Sequence, residues 1–213
     1  MVAKLPPAPF VYPIVDLSLL AGRAVEDVVE ALAAGGARLL QLRGKDAGDR
    51  DLLEAVRRAL AAARVAGAVL VVNDRPDVAL LAAADGVHVG QDDLPPAECR
   101  RLLGPGAIVG LSTHTAAEVE AARDAPVDYV AVGPVFATAT KGDAQPVVGP
   151  AFVSAARARL SAPVVAIGGI TAANAAAAVA AGASGVAGIS AFLSGSDVAA
   201  RTARLRGALE STS

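Results

Sequence analysis

Short apolar segments alternate with amphipathic segments along almost the whole chain. Each apolar segment is interrupted after a few residues by Gly, Asp, Pro or Arg, a pattern typical of parallel strands that are buried on both faces. The apolar segments predict eight β-strands, over residues 10–15, 37–42, 69–73, 86–89, 108–111, 129–132, 164–167 and 185–189.

The segments between the predicted strands have helical periodicity. Leu52, Leu53, Val56 and Leu60, for example, share one face of a helix. This periodicity predicts helices over residues 26–34, 50–65, 95–103, 115–123, 152–160 and 171–181. Strict alternation of strands and helices favours a parallel sheet, and eight such units in 213 residues predict an α/β fold with one closed (β/α)8 barrel, a TIM barrel.

No change in composition and no linker divides the chain. We therefore expect a single TIM-barrel domain over residues 1–213, with its core at about residues 10–205. Hydrophobic residues make up 54% and the mean hydropathy is +0.50, but no apolar run reaches the roughly 18 residues of a membrane helix. We expect a cytoplasmic protein with no membrane partner, and a homo-oligomer is compatible with the sequence.

Charge and residue types narrow the class of ligand. The net charge of −2 and the 3% aromatic content disfavour nucleic-acid binding. Cys99 is the single cysteine, which excludes a disulfide framework and a cysteine-based metal site. His88 lies inside a predicted strand and is interpreted as a packed core histidine, whereas no carboxylate partner is evident for His114 as a general acid or base.

In a TIM barrel the chemistry lies at the C-terminal ends of the strands. Asp74 follows the third predicted strand and Asp93 the fourth, so their carboxylates should meet at one edge of the barrel. Two carboxylates with substrate phosphates suit Mg²⁺. Either residue could instead cap the helix that follows it, since each precedes a proline.

Other strand ends predict two anion sites. Gln41 and Arg43 share the inner face of the second strand and Lys45 lies just beyond, a cationic group suited to a diphosphate. The loop after the sixth strand, to about residue 148, contains hydroxyls and Lys141 and is interpreted as an anion-binding lid. Glycines at the ends of the seventh and eighth strands predict a backbone-built monophosphate site.

Taken together, these residues resemble the thiamine-phosphate synthase family. The resemblance rests on motifs that occur in order and at similar spacing: residues 41–45 (QLRGK), 73–75 (NDR), 86–93 (GVHVGQDD), 112–114 (STH), 133–136 (GPVF) together with 138–141 (TATK), 168–170 (GGI) and 189–190 (IS). One departure is Ala137, where the family often has Pro, and it removes no functional group. Seven motifs in register make the resemblance specific.

The resemblance implies a Mg²⁺-assisted transferase with two phosphorylated small-molecule substrates. It would join a hydroxymethylpyrimidine diphosphate to a thiazole phosphate, or to its carboxylated form with loss of CO2, and release diphosphate by a dissociative mechanism. Asp74 and Asp93 would bind Mg²⁺. The pyrimidine diphosphate would lie against Gln41, Leu42, Arg43, Gly44, Lys45, Asn73, Ser112 and Lys141, with Arg43, Lys45, Ser112 and Lys141 catalytic. The thiazole phosphate would lie against Thr138, Ala139, Thr140, Gly169, Ile189 and Ser190.

Three alternatives share this fold. A thiazole tautomerase would use the thiazole-phosphate site without a full diphosphate site. A non-catalytic phosphate-ligand binder would not need the two acids on neighbouring strands. An isomerase of tryptophan or histidine synthesis should show a general acid–base pair at the barrel mouth, and the sequence shows none.

Overall fold

The computed structural model describes residues 4–138 and 146–210. Eight strands in this part of the chain form a closed parallel barrel in sequence order, from β1 next to β2 through to β8 next to β1. Their bounds are β1 Phe10–Asp16, β2 Leu39–Arg43, β3 Val69–Asn73, β4 Gly86–Val89, β5 Ile108–Thr113, β6 Tyr129–Val132, β7 Val164–Ile167 and β8 Gly185–Gly188. The predicted (β/α)8 barrel is confirmed.

Helices surround the barrel and cover the outer faces of the strands. In the described part of the chain they are α1 Val25–Ala34, α2 Asp49–Val65, α3 Pro76–Ala82, α4 Pro96–Leu103, α5 Ala116–Ala122, α6 Gly149–Arg159, α7 Ala175–Ala180, α8 Ser190–Leu193 and α9 Val198–Glu210. A short 3-10 helix, Leu17–Leu19, follows β1. Across the described residues, no helix has both the length and the apolar character that a membrane crossing requires.

Burial explains why these sequences form strands. Seven of the eight strands contain at most one residue that is not buried, because the barrel interior covers one face and the helices cover the other. Leu39, Leu40, Val71 and Val72, for example, are 0% exposed. The closed barrel leaves no free sheet edge, so the functional groups are confined to its two mouths.

Four predicted boundaries differ from the structure by two residues or more, and one of them is the start of α6, at Gly149 rather than at residue 152. Strand β2 begins two residues later than predicted, and β5 extends two residues further, to Thr113. Helix α7 begins at Ala175 rather than at residue 171, because the Asn174 side chain holds a turn in front of it. Asn174 accepts the Thr171 N–H at 2.7 Å and donates to the Gly169 carbonyl at 2.8 Å.

Candidate active site

Strand β2 places the Arg43 guanidinium at the barrel mouth, and its counter-ion, Asp16, lies on β1. Arg43 forms an ion pair with Asp16, which lies directly opposite in the parallel register of the two strands. Asp16 is 4% exposed and also accepts the Ser18 hydroxyl at 2.6 Å and the Ser18 N–H at 3.0 Å. The pair therefore fixes the guanidinium. Sequence analysis missed Asp16, although it is an acid at a strand end like Asp74 and Asp93.

The other residues of the 41–45 motif differ from one another in burial and in their neighbours. The Gln41 side chain is 1% exposed inside the barrel, whereas Leu42 is 0% exposed in the core, so only its backbone is near the mouth. A Cβ at Gly44 would lie 2.8 Å from Leu17 Cδ1 and 3.0 Å from Leu52 Cδ1, so glycine allows the chain to pass close to the 3-10 helix and to α2. Lys45 is exposed and its charge acts on Asp74 across the gap to β3.

The structure brings Asp74 and Asp93 together as predicted. Their carboxyl groups are in hydrogen-bond contact with each other. Burial raises the pKa of Asp74 to about 6, and the hydrogen bond to Asp93 and its negative charge add to the rise. The neighbouring Asn73 side chain and the Lys45 charge act in the opposite direction. Asp93 is oriented by the Gly90 N–H, which donates to Oδ2 at 2.7 Å.

Neither acid caps the helix that follows it. The N-cap of α3 is Arg75 and that of α4 is Pro95, and neither makes a side-chain capping bond. Asp74 has a φ of +59°, a left-handed backbone conformation that Asp and Asn tolerate better than other L-residues. Its N–H donates to the His88 carbonyl at 2.8 Å, which ties this turn to β4. A helix-capping role therefore does not explain either carboxylate.

The donor set at this position fits Mg²⁺. Two carboxylates held in contact repel each other once both are ionised, and a divalent cation between them removes that repulsion. Among the described residues no group of three or more His, Cys, Asp or Glu side chains gathers around one point. Two carboxylates are nevertheless enough, because Mg²⁺ commonly completes its shell with water and substrate phosphates.

Ser112 lies at the end of β5 and is linked to a buried histidine. His88 is 5% exposed, which agrees with the predicted core position, but both of its ring nitrogens are hydrogen-bonded. Nε2 lies 2.8 Å from Ser112 Oγ, and Nδ1 lies 2.8 Å from the Tyr129 hydroxyl. Sequence analysis missed Tyr12 and Tyr129, whose inward positions on β1 and β6 were the available signal.

Hydrogen bonds to neighbouring protein groups hold His114 in place. Its Nδ1 lies 2.7 Å from the Gly133 carbonyl oxygen, which only accepts, so Nδ1 carries the proton. Its backbone N–H donates to Glu118 Oε2 at 2.6 Å. Thr115 caps α5 by accepting the Glu118 N–H at 3.2 Å.

On the opposite side of the mouth, glycines after β7 form a tight backbone turn. Gly168 and Gly169 have φ values of +91° and +64°. A Cβ at Gly169 would lie 2.4 Å from the Ala137 carbonyl oxygen, so no other residue fits against the loop that follows β6. Phe136 N–H donates to the Gly168 carbonyl at 3.0 Å and joins the two loops.

The predicted thiazole-phosphate residues are only partly described. Thr138 and Ser190 are exposed, and Ile189 is 6% exposed at the start of α8. Gly169 and Ile189 follow neighbouring strands of the barrel, β7 and β8. Ala139, Thr140 and Lys141 lie outside the described residues.

Comparison with known proteins agrees with this arrangement. The family model for thiamine monophosphate synthase matches residues 11–192. A thiamine-phosphate synthase of Solidesulfovibrio magneticus is 54% identical over 136 residues, 64% of each chain, and one of Chloroflexus aurantiacus is 45% identical over 202 residues, 94% of this chain and 93% of the relative. The solved structure of a thiamine phosphate pyrophosphorylase from Pyrococcus furiosus has a TM-score of 0.85 and 36% identity, with 95% of this chain and 96% of that chain covered. The chain belongs to the thiamine monophosphate synthase family.

Proposed function

We propose that this transferase forms thiamine phosphate from an aminopyrimidine diphosphate and a thiazole phosphate, or the carboxylated thiazole phosphate with loss of CO2. Family membership supports thiamine phosphate formation. The choice of these substrates is supported by two chemically different groups at one mouth of the barrel. Arg43, Lys45, Asp74 and Asp93 lie at the ends of β2 to β4, and the glycine turn lies after β7.

The contact between Asp74 and Asp93 is the single observation that carries the proposal. A pair of adjoining carboxylates is a poor site for an anionic substrate unless a cation accompanies that substrate. The Lys45 charge is close enough to lower the pKa of Asp74. The Lys45 ammonium group and the two carboxylates therefore surround one position. A magnesium diphosphate satisfies both signs of charge at this position, whereas a monophosphate has no use for the acidic pair.

The proposed chemistry begins with departure of diphosphate from the pyrimidine methylene carbon. When bound, Mg²⁺ supplies positive charge that neutralises the leaving group. Arg43, held by Asp16, presents its guanidinium to the diphosphate oxygens, and Lys45 adds a point charge. Ser112 holds the pyrimidine ring while the methylene carbon carries positive charge. Lys141, outside the described residues, would hold the departing diphosphate.

The second step is attack of the thiazole nitrogen on the methylene cation. The carbon–oxygen bond to diphosphate breaks first and the carbon–nitrogen bond then forms, so no proton has to be removed from the thiazole nitrogen. The protein therefore needs to position the two rings rather than supply a strong base. Gly169, with Thr138, Ile189 and Ser190, would hold the thiazole phosphate through backbone and hydroxyl groups.

Purified protein with both substrates in Mg²⁺ tests the proposal. We expect diphosphate and thiamine phosphate in equal amounts, and loss of both products in excess chelator. Incubation with the thiazole phosphate alone serves as the control for a tautomerase. Isomerisation of that single substrate, without diphosphate release when the pyrimidine diphosphate is added, would overturn the proposal in favour of a tautomerase.

A further inference from the structure

A continuous chain of hydrogen bonds crosses the barrel interior beneath the mouth. Gln41 Nε2 lies 2.8 Å from the Tyr12 hydroxyl, and the Tyr12 and Tyr129 hydroxyls are 2.6 Å apart. His88 Nδ1 lies 2.8 Å from the Tyr129 hydroxyl, and His88 Nε2 lies 2.8 Å from Ser112 Oγ. We call Tyr12, Tyr129 and His88 the relay. It joins Gln41 and Ser112, two residues that the family resemblance places against the pyrimidine diphosphate.

The barrel is shaped to hold the relay. His88, Gly110 and Tyr129 are direct neighbours in the registers of β4, β5 and β6. A Cβ at Gly110 would lie 2.1 Å from Tyr129 Cζ and 2.6 Å from His88 Nδ1, so glycine opens the space in which the two rings stack at 5.5 Å. Tyr12 packs edge-on against Tyr129 with ring centroids 5.6 Å apart.

Each hydrogen bond fixes the direction of the next one. The Gln41 amide donates to the Tyr12 oxygen, so the Tyr12 proton is directed to the Tyr129 oxygen. Tyr129 then donates to His88 Nδ1, which leaves the imidazole proton on Nε2, facing Ser112. Burial raises the pKa values of both tyrosines, so both hydroxyls keep the protons that this direction requires.

The two ends of the hydrogen-bond chain consequently differ, since one end offers an acceptor and the other a donor. Ser112 Oγ accepts from His88, so its own proton is directed to a further acceptor. Gln41 uses its amino group on Tyr12, and its carbonyl oxygen makes no hydrogen bond to a described residue. The hydrogen-bond chain thus ends in one acceptor, the Gln41 carbonyl oxygen, and one donor, the Ser112 hydroxyl. A 4-aminopyrimidine has the matching pair, an amino donor and ring-nitrogen acceptors.

We propose that His88 and Tyr129 are positioning residues that hold Gln41 as an acceptor and Ser112 as a donor, and that the relay thereby selects an aminopyrimidine over its 4-oxo analogue. The 4-oxo ring presents an acceptor where the amino group presents a donor, so it would place two acceptors face to face. This inference rests on the proposed function for the identity of the ring, but the direction of the relay is a property of the protein alone.

The direction of the relay is tested first, without substrate. The chain has two histidines, and the structure gives them opposite protonation: the proton is on Nε2 in His88 and on Nδ1 in His114. Long-range ¹H–¹⁵N correlation spectra of the ring nitrogens distinguish the two tautomers, and His114→Gln assigns the signals. We expect one histidine of each tautomer. A His88 ring protonated on Nδ1 would reverse the chain and overturn the inference.

Selection is tested with Tyr129→Phe, which removes one hydroxyl and keeps the ring. We expect kcat/KM for the pyrimidine diphosphate to fall about 10- to 100-fold, preference over the 4-oxo analogue to fall with it, and KM for the thiazole phosphate to stay unchanged. The control is Thr113→Val, because Thr113 is also buried on β5 but donates to the Ala131 carbonyl outside the relay. We expect it to retain the preference.

Tyr12→Phe provides a second variant if Tyr129→Phe does not fold, and the same direction of change is expected. A folded variant that keeps the wild-type preference for the aminopyrimidine would overturn the selection role. Failure of the proposed function is a different result, since wild-type protein would then release no diphosphate whatever tautomer His88 adopts.

Discussion

Replacing Asp74 by Asn should stabilise the metal-free protein while it abolishes the reaction. Asn is similar in size to Asp and tolerates the left-handed backbone at this position, where φ is +59°. The substitution removes one of two carboxyl groups that are in contact, so the repulsion between them disappears. Stability and function are therefore opposed at this residue.

The size and sign of the effect follow from the raised pKa. Raising the pKa of Asp74 from 3.8 to about 6 corresponds to about 3 kcal/mol against folding at neutral pH. Because solvent reaches part of the side chain, we expect about 1–2 kcal/mol, which is about 3–6 °C in Tm for a domain of this size. The cost is absent below about pH 4, where Asp74 is protonated in folded and unfolded chains. It develops as the pH rises from about 4 to about 6 and is complete above about pH 6.

Thermal unfolding in chelator between about pH 4 and pH 8 measures this effect. The Tm of Asp74→Asn should exceed that of the wild type at pH 8, and the two values should converge at pH 4. Asp92→Asn is the matched control, because Asp92 is a nearby but exposed carboxylate, and its Tm difference should not follow this profile. A constant difference between the Tm values of Asp74→Asn and the wild type across this range would show that the raised pKa of Asp74 is not the cause.

Three further variants test the packing and the cationic site. Gly110→Ala places a methyl group 2.1 Å from Tyr129 Cζ and should lower the free energy of unfolding in urea by about 1–3 kcal/mol. Gly207→Ala, in open space on α9, should raise it by about 0.5–1 kcal/mol, and equal effects of the two variants would contradict the packing. Arg43→Lys keeps the charge but loses the planar fork held by Asp16, so kcat/KM for the pyrimidine diphosphate should fall about tenfold or more. An unchanged value would remove Arg43 from the diphosphate site.

The fold could be predicted from the sequence because both faces of each strand are buried. Apolar runs that end at Gly or Asp mark strands wherever a barrel and a helix layer cover them. Boundaries were less accurate where side chains compete with the backbone for hydrogen bonds. Asn174 delays α7 in this way by accepting the Thr171 N–H, and no periodicity in the apolar residues reports such a bond.

Within the site, residues at strand ends were predictable and residues inside the barrel were not. Asp74 and Asp93 meet because neighbouring parallel strands end at the same mouth. The relay forms because particular inward side chains face each other across the barrel. Which side chains face each other is set by the stagger of the strands. Tyr12 and Tyr129 are 117 positions apart in sequence, so no local pattern connects them.

Asp74 and Asp93 are proposed to hold the metal ion that neutralises the leaving diphosphate. The most direct test measures the rate of thiamine phosphate formation against Mg²⁺ concentration for the wild type, Asp93→Ala and Asp92→Ala, with thiazole-phosphate binding followed by calorimetry. Asp93→Ala should lower the rate about 100-fold or more and leave thiazole-phosphate affinity intact, while Asp92→Ala should resemble the wild type. Coupling by Asp93→Ala at the wild-type rate, or coupling by the wild type in excess chelator, would contradict the metal assignment.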